Sequence, residues 1–181
     1  MCDRLFTDTR LYDYLLEIDR DLARRARHEG CPRCAGRLDS ATYPRKPRGG
    51  PARGAAHSRR LSFCCARCSK RVTPPSVRFL GRRVYYGAVV VLACLQALTA
   101  KRVIELKALL GVDRRTLRRW RRWWNETFVR SSWWRVAKAR FSPVLDQSRL
   151  PGAMLERFAD APEPALIALL GFLSPLSTRS V

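Results

Sequence analysis

Residues 99–120 have the sequence TAKRVIELKALLGVDRRTLRRW, and this stretch predicts two helices joined by a sharp turn. Gly111 supplies the left-handed residue that ends the first helix, and Asp113 is placed to cap the second. Val112 and Leu117 fall at the positions of a hydrophobic staple at the start of the second helix. The stretch therefore predicts a helix-turn-helix unit.

The second helix is two-sided. At about 100° per residue, its apolar arc holds Leu117, Trp120, Trp124 and Phe128, with Trp123 at the edge. The opposite arc holds Arg115, Arg118, Arg119 and Arg122, and it is flanked by Arg114 and Arg121. A solvated face usually mixes charges of both signs, but this one has no acidic residue between Asp113 and Glu126. The arc predicts contacts to base edges in a DNA major groove, with phosphate contacts from the flanking arginines. Lys101 and Arg102, at the start of the preceding helix, are further candidate DNA contacts.

Two matched cysteine pairs precede this unit in the chain. They are Cys31 with Cys34, and Cys65 with Cys68. Four thiolates in two tight turns are the ligand set of a structural zinc site. The sequence therefore predicts that these cysteines bind Zn²⁺ and that the metal folds residues 31–80. A catalytic zinc ion would need an open coordination position and a general base, and the sequence indicates neither.

Other residues could take part in the metal site. Cys64 adjoins Cys65 and is an alternative ligand, although its spacing would break the symmetry of the two turns. His28 and His57 are weaker candidate ligands. Cys94 lies in an apolar run and is expected in the core.

The net charge of +21 is concentrated in the middle of the chain. Residues 31–80 hold twelve basic residues against one acidic residue, and residues 81–140 hold fifteen against three. Residues 1–30 and 141–181 each carry a charge of −1. A local excess of this size favours a polyanionic partner, which relieves the self-repulsion and releases counterions.

The pattern predicts a mainly α-helical fold with a small β zinc ribbon and a tri-helical helix-turn-helix body. Helices are expected over 8–28, 83–98, 100–110, 114–129 and 132–140, with a last one in 151–171 broken by Pro162 and Pro164. Short strands are expected at 61–64 and 77–80. The expected regions are an N-terminal amphipathic helix (1–30), a zinc ribbon (31–80) with a long basic loop (41–60), a helix-turn-helix DNA-binding domain (81–140), and a C-terminal helix and tail (141–181).

The chain is expected in the cytoplasm, associated with the nucleoid, and without a membrane partner. Its longest apolar run, 84–98, is shorter than the roughly 20 residues that a spanning helix needs. The N-terminus lacks the apolar core of a secretory signal. The seven cysteines are an odd number, which excludes a fully paired disulfide framework.

The order of these parts resembles the N-terminal DNA-recognition portion of bacterial insertion-sequence transposases, and the short zinc-ribbon proteins associated with such elements. The resemblance covers roughly residues 31–130 and includes the sequence RTLRRWRRWW at 115–124. It implies that the two cysteine pairs hold zinc and that residues 114–122 read element ends. Those transposases cut DNA with three carboxylates that hold two divalent metals. Here the residues after 140 offer Asp146, Glu156, Asp160 and Glu163, with no strand pattern to position them.

The sequence therefore predicts a zinc-stabilised, non-enzymatic protein that binds double-stranded DNA. One alternative is a zinc-ribbon RNA-binding or adaptor protein of a ribonucleoprotein, which basic and aromatic residues would suit equally. A less favoured one is a nuclease or transposase that uses Asp146 or Glu156. The apolar segment 165–173 is expected to dock either on the helical core or on a protein partner, such as a transposase.

Overall fold

The computed structural model describes residues 2–81 and 83–178. This part of the chain contains seven α-helices: α1 Thr9–Glu29, α2 Gly87–Leu92, α3 Ala100–Leu110, α4 Arg114–Arg122, α5 Ser132–Ala137, α6 Gly152–Leu155 and α7 Pro162–Leu173. It also contains five short strands: β1 Leu38–Ser40, β2 Tyr43–Pro44, β3 Arg59–Arg60, β4 Phe63–Cys65 and β5 Arg71–Val72. The fold is mainly helical with small antiparallel sheets, as the sequence predicts.

Helix α1 connects two separate clusters of buried side chains. It is capped by Asp8, whose carboxylate accepts two backbone N–H bonds in the first turn, and it ends at Gly30, which has a φ of 78°. The observed bounds lie within one residue of the helix predicted over 8–28, and aspartate and glycine are common at these two positions. Leu11 and Leu15 in its first half belong to the main core, whereas Ala23 in its second half packs against the cysteine turns. Helix α1 therefore packs against the main core with its first half and against the cysteine turns with its second half.

The three-stranded sheet has the order β1-β4-β5 and is antiparallel throughout. Leu38 pairs with Cys65 and Ser40 pairs with Phe63. Successive side chains of a strand point to opposite faces. Accordingly Phe63 and Cys65 are buried, while Cys64 between them is only partly buried.

The stretch 41–60 is not a plain loop, contrary to the sequence prediction. Its ends form a two-stranded antiparallel sheet, in which Tyr43 pairs with Arg60 and Pro44 with Arg59. Proline is tolerated in such a short edge strand because a partner is needed on only one side. Because its two ends pair with each other, the stretch 41–60 forms a hairpin-like segment.

The main core is built by the helices, and the predicted aromatic arc lies in it. Each of its members is at most 8% exposed: Leu117, Trp120, Trp123, Trp124 and Phe128. Helix α7 contributes another set of buried side chains, namely Ala165, Leu166, Leu169, Leu170 and Leu173. The apolar segment 165–173 thus docks on the chain's own helical core.

A buried ion pair between Asp19 and Arg78 ties α1 to the segments around it. Both side chains are fully buried, and Arg78 Nε donates to Asp19 Oδ2 at 2.7 Å. The other carboxylate oxygen accepts the Val77 N–H at 2.8 Å. The remaining guanidinium nitrogens of Arg78 donate to the carbonyls of His57 (3.2 Å) and Arg59 (3.0 Å). The network therefore joins α1, the end of the 41–60 stretch and residues 76–78.

The predicted strand at 77–80 is absent from the described residues. Phe79 makes a single antiparallel bridge to Tyr86. The reason lies in the ion-pair network, because the backbone N–H groups of Val77 and Arg78 bond to side chains of the network and not to a neighbouring strand.

Four predicted helices differ in extent or type from the observed ones. The helix predicted over 132–140 is α-helical only over Ser132–Ala137 and continues as a 3-10 turn, Lys138–Arg140. The run predicted as a helix over 83–98 forms only α2, Gly87–Leu92, because a run with so few polar positions carries no period that marks where a helix ends. The helix predicted over 114–129 continues after α4 as a π-helical segment, Trp123–Phe128. Pro162 does not break the last helix but begins it, since the first helical residue needs no N–H partner.

We expect Arg78→Met to lower the free energy of unfolding by about 3–5 kcal/mol, because it leaves the buried Asp19 carboxylate without its cation. The measurement is urea denaturation of the metal-saturated chain. Arg25→Met is the matched control, since Arg25 is exposed on helix α1, and its effect should stay within about 0.5 kcal/mol. Equal stability of the two variants would contradict the structural role assigned to the ion-pair network.

Candidate metal centre and cationic helix face

The four paired cysteines converge on one point. Their Sγ atoms all lie within 4.8 Å of one another, with 3.7 Å between Cys31 and Cys68 and 3.5 Å between Cys34 and Cys65. Four sulfurs bound tetrahedrally to zinc, each at about 2.3 Å, lie about 3.8 Å apart. All four cysteines are free of disulfide bonds. The donor set and its spacing therefore fit one tetrahedral metal ion.

The two cysteine turns share one backbone geometry. In each turn the N–H of the first cysteine donates to a carbonyl five residues later at 3.0 Å. The carbonyl of that cysteine accepts an N–H four residues later, at 2.8 Å in one turn and 2.9 Å in the other. This fourth residue is Ala35 in the first turn and Ser69 in the second, with φ of 54° and 56°. Residues other than glycine adopt this conformation rarely, so its repetition indicates that both turns wrap the same kind of centre.

Gly36 allows the two turns to approach each other. A Cβ atom at this position would lie 2.8 Å from Arg67 Cβ and 3.0 Å from Cys65 Sγ. The equivalent position of the second turn is Lys70, which is exposed. The role of Gly36 was not predicted from the sequence. The available signal was a glycine two residues after the second cysteine of a ligand pair.

Backbone N–H groups and the neighbouring thiols together set the protonation preference of the thiols. The N–H groups of Cys68 and Arg67 lie 3.5 Å and 3.4 Å from Cys65 Sγ and lower the pKa of Cys65 to about 6. At Cys34 the Gly36 N–H favours the thiolate, but the neighbouring thiols, Cys65 first, and burial outweigh it and raise the pKa to about 12. Opposite shifts arise because a second thiolate beside the first is repelled. A metal ion among the sulfurs removes that repulsion.

The alternative ligands lie outside the cluster. Cys64 Sγ contacts the Ser69 carbonyl at 3.6 Å and is not among the converging sulfurs. His57 is buried beside Asp13 of α1, with its Nε2 atom 3.1 Å from a carboxylate oxygen. Cys94 is buried in the main core, and burial raises its pKa to about 12.

Helix α4 is positioned by the turn that precedes it. Gly111 adopts the left-handed conformation, with φ 63° and ψ 22°. Asp113 caps α4 by accepting the Thr116 N–H at 2.9 Å, and this bond is the main reason why the pKa of Asp113 lies below its usual value. Val112 and Leu117 are both fully buried, as a hydrophobic staple requires.

Five exposed arginines of α4 form a surface that we call the arginine face: Arg114, Arg115, Arg118, Arg119 and Arg122. Together they line an open groove of about 560 Å³. Within residues 2–81 and 83–178, the one ion pair of the face is a 4.0 Å contact between Arg122 and Glu126. Like charges three and four residues apart on a helix repel each other. The face is therefore a largely uncompensated cationic surface on a helix whose other side is anchored in the core.

Two of the residues predicted to contact DNA are engaged within the fold, and a third lies on the neighbouring helix, as predicted. Arg121 is partly buried and donates a hydrogen bond to the Cys94 carbonyl. Arg102 is only 8% exposed and forms an ion pair with Asp3 through two contacts of 2.8 Å and 2.5 Å. Lys101 is exposed on α3, outside α4. Arg121 and Arg102 are thus engaged within the fold and do not belong to the arginine face.

Much of the basic charge before residue 84 is also used internally. Arg45 donates to the carbonyls of Gly81 (2.7 Å) and Arg83 (3.1 Å). The guanidinium carbon of Arg83 lies 3.9 Å from the ring centroid of Trp123. Burial lowers the pKa of Arg83 to about 10. Other arginines that bond to backbone carbonyls are Arg53, Arg59, Arg60, Arg67, Arg71 and Arg78. Part of the charge excess of residues 31–80 therefore stabilises the fold. The sequence alone does not show which basic residues have this structural role and which are available to a partner.

The carboxylates considered for catalysis have local roles. Asp146 accepts hydrogen bonds from the N–H and hydroxyl of Ser148, and Glu156 pairs with Arg149 at 2.6 Å. In the described part of the chain, one group of three or more His, Cys, Asp or Glu side chains is close enough together to hold a metal ion, and it consists of the four cysteines.

Comparisons with protein-family models, with curated proteins and with solved structures give no match to this chain. Among the helices of the described residues, none combines the length and the apolar character that crossing a membrane requires.

We expect Cys65→Ser to abolish stoichiometric metal binding and Cys64→Ser to leave it intact, because only Cys65 points into the cluster. The two variants remove the same atom from neighbouring residues. The measurement is metal content by mass spectrometry, together with the visible absorption of the cobalt-substituted chain, which reports tetrahedral thiolate ligation. Loss of metal in Cys64→Ser with retention in Cys65→Ser would reverse the ligand assignment.

We expect Gly36→Ala to weaken metal binding, because the added Cβ would displace Arg67 and the sulfur of Cys65. Gly54→Ala is the matched control, since a Cβ there meets nothing within 4 Å. Competition with a chromophoric chelator measures both affinities. Equal affinities would show that the turns do not need this close approach.

Proposed function

We propose that this chain is a zinc-stabilised, non-catalytic protein that binds duplex DNA through the arginine face of α4. The observation that carries the proposal is that face itself, with five exposed guanidinium groups that have one weak acidic contact among the described residues. The aromatic side of the same helix is buried, so the arginines are held on a rigid support.

Zinc is the metal that suits the cysteine cluster. Thiolates are soft ligands and favour zinc or an iron–sulfur cluster over hard cations. The Sγ distances match a single tetrahedral ion, and four protein ligands leave no coordination position for a reacting water. In this proposal β1, β4, β5 and the two cysteine turns form a zinc ribbon whose metal contributes folding free energy. The role of the ion is structural.

In the same proposal, α3 and α4 form a helix-turn-helix unit in which α4 enters the major groove. A helix of this size fits that groove, and its first turns reach the base edges. Arg114 lies at the N-terminal end of α4, where phosphate contacts are favoured. Lys101, exposed on the neighbouring helix α3, is a second candidate for a phosphate contact.

A polyanionic partner also accounts for the energetics of the surface. The arginines of the face repel one another in the free chain, and their attraction to phosphates would offset that repulsion. The proposal includes binding without cleavage, association with the nucleoid and a relation to the recognition portion of insertion-sequence transposases. That relation rests on the order of the modules alone.

We expect the chain to bind duplex DNA with an affinity that falls steeply with salt. For six to ten phosphate contacts the decrease in affinity is about 10³ to 10⁵ between 50 and 200 mM. Replacing all five arginines of the face with glutamine should weaken binding and flatten the salt slope by about one unit for each phosphate-binding arginine removed. Fluorescence anisotropy with a labelled duplex at several salt concentrations measures both quantities.

Helix α1 offers a charge-matched control. It also carries five exposed arginines, namely Arg10, Arg20, Arg24, Arg25 and Arg27. Their replacement with glutamine removes the same net charge from a different surface. If the two five-residue variants bind DNA equally well, the arginine face is not the DNA-binding surface.

A further inference from the structure

The exposed positions of α4 carry only one type of side chain. The helix has the sequence RRTLRRWRR, and its exposed residues are the five arginines of the face. Thr116 is the one short polar side chain of α4. It is only 8% exposed, and its hydroxyl donates to Asp113 Oδ2 at 3.1 Å. Asn125 and Glu126 are exposed in the π-helical segment that directly continues α4, and Glu126 lies 4.0 Å from Arg122. Both come after the first turns of the helix, which are the part that reaches base edges.

This composition limits what α4 can recognise on a base. In the major groove, arginine donates two hydrogen bonds to O6 and N7 of guanine. Adenine is read by asparagine or glutamine, cytosine by an acidic side chain, and the thymine methyl by an apolar one. Helix α4 exposes none of these other residue types. Guanine is therefore the one base for which the helix presents a specific partner.

The dimensions of the face set the length of such a site. From Arg115 to Arg122 the helix rises about 10 Å at about 1.5 Å per residue. This equals about three base-pair steps of about 3.4 Å. The minor groove, about 6 Å wide, does not admit a helix, and the major groove of an RNA duplex is too narrow for side chains to read. The arginine face therefore matches a short stretch of B-form major groove.

We propose that α4 reads a short run of guanines, three to four base pairs long, in the major groove of duplex DNA. This inference rests on the proposed function and names the chemical class of its target. The N7 and O6 atoms of the guanines accept from arginines of the face, while Arg114 and Lys101 hold the phosphates.

The test compares four labelled duplexes of equal length at one salt concentration. The first contains a run of four guanines, the second has 7-deazaguanine in the same positions, the third contains only A·T pairs, and the fourth is the RNA duplex of the first sequence. Because 7-deazaguanine lacks only the N7 acceptor and keeps its Watson–Crick pairing, we expect the wild-type chain to bind the second duplex at least about fivefold more weakly than the first. The A·T and RNA duplexes should bind more weakly still.

A pair of double variants tests whether α4 is the element that recognises guanine. In R118Q/R119Q the preference for guanine over 7-deazaguanine should shrink, whereas R24Q/R25Q on α1 should keep it. Equal binding to the first three duplexes would overturn the guanine inference and leave DNA binding intact. Absence of binding to every DNA duplex, or tighter binding to the RNA duplex, would overturn both the inference and the proposed function.

Discussion

The buried pair of Asp19 and Arg78 is the contact on which the rest of the fold depends. A charge removed from water must be fully paired and hydrogen-bonded, or it destabilises the native state. Here the carboxylate accepts from Ser76 and Val77 as well as from the guanidinium, and the guanidinium also bonds to two backbone carbonyls. These bonds are all satisfied in only one alignment of α1 with residues 57–59 and 76–78. The network therefore sets how the cysteine turns and the helical core are placed along α1.

The arginines of this chain divide into two groups with different physical roles. One group, which includes Arg45, Arg60, Arg78 and Arg102, supplies hydrogen bonds that connect distant segments. The other group is exposed on α4 and has little internal compensation. Arginine suits the first role because its planar group offers five donors and stays charged when buried. A charge count from sequence therefore overstates the cationic surface available to a partner.

The extent to which the sequence predicted the structure follows from the range of the interactions involved. The turn at Gly111, the cap at Asp113 and the apolar arc of α4 are local, so spacing and residue type suffice to predict them. The convergence of the cysteines was also predictable, because two identical turns constrain each other. By contrast, Arg102 meets Asp3 and Arg121 meets the Cys94 carbonyl across the fold, and no local pattern marks such contacts. The run 84–98 gave no periodic signal, so its helix was predicted too long.

The buried side and the exposed side of α4 have independent physical roles, which matters for protein engineering. Leu117, Trp120 and Trp124 are buried and hold the helix in place. The side chains of Arg115, Arg118 and Arg119 are exposed and lie outside that core. Surface substitutions away from packed or networked residues usually change stability little. The outer side of α4 can therefore be replaced with other polar residues while the packed side beneath it stays the same.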